Sequence, residues 1–227
     1  MGRVAVVTGA SRGIGQAIAE AMERALAHVV RVSRSLAPAR SDRRLDLPCD
    51  VTDPKQVADL AEKIESELGV PDLVVNSAGS FLLKAFEATT AADLTAQLSA
   101  NLVGPFHVAR EFLPRMRARG HGRLINLGSI ADHRAFPENA AYSAGKFGLR
   151  GLHEVLREEY RGSGVLCTLV SPGPTDTPVW DPVDPDHRVG FVPRAKMLRP
   201  EDVAEAVVWV ASRPAHVDVD WLRLGPA

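Results

Sequence analysis

A chain of 227 residues, 45% hydrophobic and 24% charged, is long enough to bury a sizeable core and has the composition of a globular protein. Its formal net charge of -1 provides no global field to recruit nucleic acid or an anionic membrane. No apolar run approaches membrane-spanning length, and a first strand beginning at Val4 leaves no room for a signal peptide, so a cytoplasmic protein without membrane partners is expected.

In chain order, apolar runs of strand length alternate with amphipathic segments of helix length. Strands are predicted at 4–8, 29–33, 44–49, 73–76, 124–127, 165–170 and 219–224, and helices at 15–26, 54–68, 90–119, 140–160 and 200–212. Several strands are continuously apolar, which suits burial on both faces of a parallel sheet. The alternation predicts an α/β protein, a Rossmann-type doubly wound sheet of about seven parallel strands with helices on both faces. No repeat or linker interrupts 1–227, so a single domain is expected. The most irregular stretch, 171–196, mixes prolines, aromatics and acids; a loop of that length predicts a partly ordered flap over a site, at about 174–198. Cys49 and Cys167 lie far apart in apolar runs and read as buried free thiols. Neither has ligand spacing to another Cys or His, and no metal is expected.

The turn after the first strand reads Thr8-Gly9-Ala10-Ser11-Arg12-Gly13-Ile14-Gly15. Glycines there permit a tight turn and close approach of backbone to ligand, and the following helix aims free N–H groups at the crevice. A pyrophosphate fits such a place. At the end of the second strand stand Ser33 and Arg34, where an acidic residue would accept hydrogen bonds from a ribose. With Arg12 in the turn and Arg34 opposite, a 2′-phosphate has two candidate partners, which favours NADP(H) over NAD(H).

Further on, Ser129 closes a strand, and Tyr142 and Lys146 follow four positions apart on a predicted helix. That spacing puts both on one helix face. An ammonium beside a phenol favours the phenolate, and a tyrosine, titrating near ~10 when free, needs such help to exchange protons at neutral pH. Ser129 can point its hydroxyl at the same spot.

The glycine turn together with Ser129…Tyr142-x-x-x-Lys146 resembles the compact branch of the short-chain dehydrogenase/reductase family, and the resemblance covers nearly the whole chain. Cys49-Asp50-Val51 resembles the segment that contacts the adenine. Asn76-Ser77-Ala78-Gly79 is similar to the family's Asn-Asn-Ala-Gly motif, and Pro172-Gly173-Pro174-Thr175-Asp176-Thr177 to the segment that holds the nicotinamide carboxamide. The resemblance implies hydride transfer between nicotinamide and a small-molecule carbonyl or alcohol. It assigns proton exchange to Tyr142, lowering of its pKa and ribose binding to Lys146, polarisation of the substrate oxygen to Ser129, and a proton relay to Asn101. It further implies a homodimer or homotetramer through the helices near 90–119 and 140–160. The glycine turn and helices resemble those of 3-oxoacyl carrier-protein reductases.

The chain departs from the family in three places. No glycine separates the first helix from the second strand, the segment 35–43 is too short for the usual helix, and the carboxyl end lacks a Gly-Gly tail. His133, Phe136, Trp180, Phe191 and Met197 are the candidates for substrate contact. Two other readings stay open, an NAD-preferring alcohol dehydrogenase of the same family and a non-catalytic dinucleotide sensor on the same fold.

Overall fold

The structure, a computed structural model, describes residues 3–25 and 28–227. Its strands are β1 (Val4–Thr8), β2 (His28–Val32), β3 (Ala39–Arg40), β4 (Arg44–Leu47), β5 (Leu73–Asn76), β6 (Gly122–Leu127), β7 (Val165–Pro172) and β8 (Trp221–Leu224). Its helices are α1 (Gly13–Arg24), α2 (Pro54–Leu68), α3 (Ala91–Leu98), α4 (Gly104–Arg119), α5 (Ala140–Glu159) and α6 (Pro200–Ala211). They form one sheet of order β3-β4-β2-β1-β5-β6-β7-β8. Seven strands are parallel, as predicted. The eighth, β3, was not predicted; it pairs antiparallel with β4 at the edge, in the segment too short for a helix.

Two apolar layers sandwich the sheet. On one face α2, α4 and the end of α5 pack Ile64, Phe112 and Leu156 against Val6, Val74 and Leu124. On the other, α1 and α6 pack Ile18 and Val207 against Val7, Val75 and Ile125. Successive strand residues alternate between the two layers because the side-chain period of a strand is two. Continuous apolar runs were needed because both faces are covered.

The boundaries follow local chemistry. Asp53 caps α2 by accepting the N–H groups of Lys55 at 2.9 Å and Gln56 at 3.3 Å. β4 stops at Leu47, two residues before the predicted end, where Pro48 has no N–H for the ladder. The predicted end of the first helix, Leu26, lies outside the described residues.

The helix predicted over 90–119 is corrected. It is broken into α3 and α4 by a wider turn, Ser99–Val103, in which the Gly104 N–H reaches back to the Ser99 carbonyl. Pro105 is the physical cause: it has no N–H to offer the carbonyl of Asn101, four residues earlier. Asn101 therefore sits on a bulge rather than on a regular helix face.

From β1 the chain steps outward to β2 and β4, then returns to β5 on the opposite side of β1. The crossovers on either side of this reversal diverge, and a crevice opens beyond the carboxyl ends of β1 and β5.

Candidate active site

A cavity of about 840 Å³ occupies that crevice and continues beneath the segment 174–198. The glycine turn makes one wall. Gly9 has a φ of 69°, and a Cβ there would meet the Ala78 backbone at 2.7 Å. A Cβ on Gly15 would meet the Gly9 carbonyl oxygen at 2.3 Å. Thr8 ties the two strand ends together, its hydroxyl oxygen accepting the N–H groups of Ser77 and Ala78 at 3.1 Å each. No side chain caps the amino end of α1, so its first N–H groups face the crevice.

At the far end of this half, the Ser33 hydroxyl donates to Ser11 Oγ at 3.0 Å. Arg34 is exposed, and its ion pair with Asp50 is long at 3.9 Å. Arg12 is exposed on the same side. Asp50 accepts both the N–H and the hydroxyl of Thr52, which holds its carboxyl below the usual range.

The cavity is lined by Gly9, Ser11, Arg12, Gly13, Ile14, Gly15, Ser33, Arg34, Asp50, Val51, Ala78 and Gly79 from the first half of the chain. From the second half come Asn101, Ser129, Tyr142, Lys146, Pro172, Gly173, Thr175 and Thr177. Asn76 stands apart from the other predicted residues. Its amide donates to Asn126 Oδ1 at 2.9 Å and to the Pro105 carbonyl at 3.2 Å, clamping β5 to β6 and α4 instead of lining the cavity.

Ser129, Tyr142 and Lys146 converge beyond the end of β6. Ser129 Oγ accepts the Ala131 N–H at 3.1 Å, which leaves its own O–H free to donate. A hydrogen bond with Ser129 favours the Tyr142 phenolate, yet burial dominates and pushes the phenol up to about 12. Lys146 is buried; its ammonium donates to the Leu127 carbonyl at 2.8 Å and lies 5.8 Å from the Tyr142 ring centre. Burial pushes it down to about 8. Burial raises the phenol here, and no lowering by Lys146 is resolved while its ammonium is held on a neighbouring carbonyl.

The buried Asn101 amide donates to the Ser80 carbonyl at 2.9 Å and accepts the Ser80 N–H at 3.3 Å. A Cβ on Gly79 would lie 2.7 Å from Asn101 Oδ1 and 4.0 Å from Lys146 Nζ, so both side chains come close to this glycine.

Beneath Ser129 lies a group that sequence reasoning missed. Asp132 is fully buried. Its Oδ2 accepts the Ser129 N–H at 3.0 Å and the Ser171 hydroxyl at 2.5 Å, and its Oδ1 pairs with His133 Nδ1 at 2.6 Å. Trp221 of β8 completes the network, donating to Ser171 Oγ at 2.9 Å with its ring edge-on to His133 at 5.1 Å. His133 is thus turned away from the cavity, which corrects its expected substrate contact. The Ser-x-x-Asp capping pattern at 129–132 was the available signal.

Phe136, Trp180, Phe191 and Met197 do line the cavity, joined by Phe81, Leu83 and Glu138, which were not predicted. The flap is pinned at its base: Leu198 donates to the Pro174 carbonyl at 3.0 Å, and Asp176 to the Leu198 carbonyl at 2.8 Å. Arg194 binds it internally through Asp176 and Asp181 at 2.8 and 2.6 Å. Glu138, at a φ of 60°, joins three segments. Its carboxylate takes Arg188 of the flap at 2.5 Å, and its carbonyl takes the Lys84 N–H at 2.7 Å.

A family model described as short chain dehydrogenase matches residues 3–188. An uncharacterized oxidoreductase of Staphylococcus aureus (strain USA300) is 32% identical over 231 residues, covering 99% of this chain and 97% of the relative. Among solved structures, a closed form of serine dehydrogenase complexed with NADP+ superposes with a TM-score of 0.88 at 26% identity, covering 98% of this chain and 94% of that one. An alcohol dehydrogenase from Thermococcus sibiricus complexed with 5-hydroxy-NADP superposes with a TM-score of 0.84 at 26% identity, covering 99% and 97%.

Proposed function

The chain belongs to the short-chain dehydrogenase family and is a nicotinamide-dinucleotide-dependent oxidoreductase, and on that premise we propose that it moves hydride between NADP(H) and a small-molecule carbonyl or alcohol. One observation carries this reading: a single cavity joins the uncapped end of α1 to the cluster of Ser129, Tyr142 and Lys146.

The residues fit the cofactor. The glycine cradle leaves room that a Cβ would fill, and the free N–H groups of α1 suit a pyrophosphate. Arg12 and Arg34 suit a 2′-phosphate, with the Ser33 and Ser11 hydroxyls between them; this supports NADP(H) over NAD(H). Solved relatives complexed with NADP+ and 5-hydroxy-NADP support the same preference. Gly173, Thr175 and Thr177 line the cavity at the flap base, which supports a role at the nicotinamide end, and the lining position of Lys146 supports one at its ribose.

When bound, the nicotinamide supplies hydride to a carbonyl carbon or takes it from a carbinol carbon. Tyr142 gives the substrate oxygen its proton in reduction. The phenol is protonated at neutral pH and so can donate in reduction. The free O–H of Ser129 steadies charge developing on that oxygen. The approach of both Lys146 and Asn101 to Gly79 supports a path through them by which the proton of Tyr142 is restored.

Reduction of a ketone panel, followed by loss of nicotinamide absorbance, tests the assignment. Tyr142→Phe is expected to lower kcat by about 10²–10⁴-fold with cofactor affinity unchanged. Retention of most turnover by that variant, or cofactor binding without turnover of any compound, sinks it.

A dimer or tetramer is also part of this reading. Phe106 on α4 and Phe147 on α5 are 44% and 45% exposed, with Val103 and Val155 beside them, which supports association through these helices. Light scattering giving a monomer at micromolar concentration counts against it.

A further inference from the structure

The substrate half of the cavity is built from aromatic edges and faces. Phe81 meets the Tyr142 ring edge-on, 5.0 Å between centres. Trp180 packs on Phe81 at 5.0 Å, and Phe191 on Trp180 at 6.4 Å. These rings are half-buried, with flanks left to whatever enters. The indole N–H of Trp180 is already given to the Thr175 carbonyl at 3.0 Å, so this ring offers no polar handle. Leu83 and Met197 extend the same surface.

The charges point the same way. Arg12, Arg34 and Asp50 line the nucleotide half; Glu138 and Lys146 are the ionisable groups of the other half apart from Tyr142. Lys146 gives one N–H to the Leu127 carbonyl and is otherwise assigned to the ribose and the proton path. Arg188 of the flap is held by Glu138, and Arg194 by Asp176 and Asp181. Among the described residues no arginine lines this half of the cavity, so a substrate carboxylate or phosphate meets no lining guanidinium there. Burying an unpaired anion here is costly, whereas an apolar ring gains its burial and edge-to-face contact.

We propose that the site takes an uncharged ketone or aldehyde, or the matching alcohol, carrying an apolar ring that packs against the open flanks of the Phe81–Trp180–Phe191 cluster. This rests on the oxidoreductase reading given above. In reduction the carbonyl carbon gains hydride, its oxygen gains the Tyr142 proton, the C=O double bond becomes C–H and O–H, and NADPH is oxidised to NADP+. Amino acids, 2-oxo acids and phosphorylated sugars are poor substrates on this ground, even though a serine dehydrogenase shares the fold.

The test is a matched panel with the purified protein: acetophenone and cyclohexyl methyl ketone against pyruvate with NADPH, and 1-phenylethanol against serine and glucose 6-phosphate with NADP+. The ring-bearing compounds are expected to exceed the charged ones in kcat/KM by about a hundredfold or more. Phe81→Ala and Trp180→Ala are expected to raise KM for acetophenone about tenfold while the dissociation constant of NADPH stays the same. Equal or better turnover of pyruvate, serine or glucose 6-phosphate overturns the substrate class and leaves the oxidoreductase reading standing. So does an unchanged KM in both variants. NADPH binding with no turnover of any panel member overturns both.

Discussion

The buried Asp132 carboxylate accepts the backbone N–H of Ser129 at 3.0 Å, so the residue that meets the substrate oxygen is held from below by a charge. The same Oδ2 accepts the Ser171 hydroxyl, and Gly128 makes the approach possible: a Cβ there would lie 2.2 Å from Asp132 Oδ2. Asp132 thereby links β6 to β7 and, through Trp221, to β8.

Asp132→Asn is expected to keep the fold while lowering kcat about tenfold or more, since the amide oxygen that remains for the Ser129 N–H and the Ser171 hydroxyl is a weaker acceptor than a carboxylate and the new NH2 must face His133 Nδ1. Cofactor affinity should not move, and Ser171→Ala should show a smaller loss in the same direction. Asp132→Ala is expected to destabilise by about 3 kcal/mol, measured by urea unfolding, because it strands buried donors. A kcat unchanged in Asp132→Asn would remove its role in positioning Ser129.

Lys146 carries the pH dependence. Burial pushes its ammonium down to about 8, so the free enzyme loses this charge as pH rises through that value. Reductive kcat/KM, which reports free-enzyme groups, is expected to fall across the same window. A profile flat between about pH 7 and pH 9 would contradict this, since a group titrating near 8 changes charge across that range.

Arg12 and Arg34 are expected to act on one phosphate. Each change to Ala should raise the NADPH dissociation constant about tenfold, the usual weight of a hydrogen bond to a charged group, and leave NADH binding nearly unchanged. Equal losses for both cofactors in isothermal titration would place the arginines elsewhere than on the 2′-phosphate.

His153 should set acid stability. It is 3% exposed, its Nε2 lies 3.2 Å from the Asp220 carbonyl, and burial pushes it down to about 4. The unfolded chain takes this proton first, near the usual value of ~6.5. The folded state therefore keeps its full stability above ~6.5 and loses up to about 3 kcal/mol as pH falls toward 4. Urea unfolding of the wild type and His153→Gln across that window checks it; equal slopes against pH would remove His153 as the cause.

Strand and helix order, the parallel sheet and the glycine turn were legible from the sequence, because each rests on short-range patterning and unbranched backbone chemistry. Tyr142 and Lys146 were legible for the same reason, as a spacing on one helix. Several features needed partners distant in the chain. The break at Ser99–Val103 depends on one missing N–H at Pro105, and β3 forms only because β4 offers a free edge. Asn76 matched a cofactor motif, yet pairs with Asn126, fifty residues away. The direction of the Tyr142 shift was also out of reach, since desolvation depends on what packs around the phenol and not on the residue four positions along. The sequence thus determined which chemical groups the protein carries and in what order they reach the sheet. Only the tertiary structure decided which of them share a cavity, which are spent on one another and which charge lies under Ser129, because burial and long-range hydrogen bonds exist only once the layers have packed.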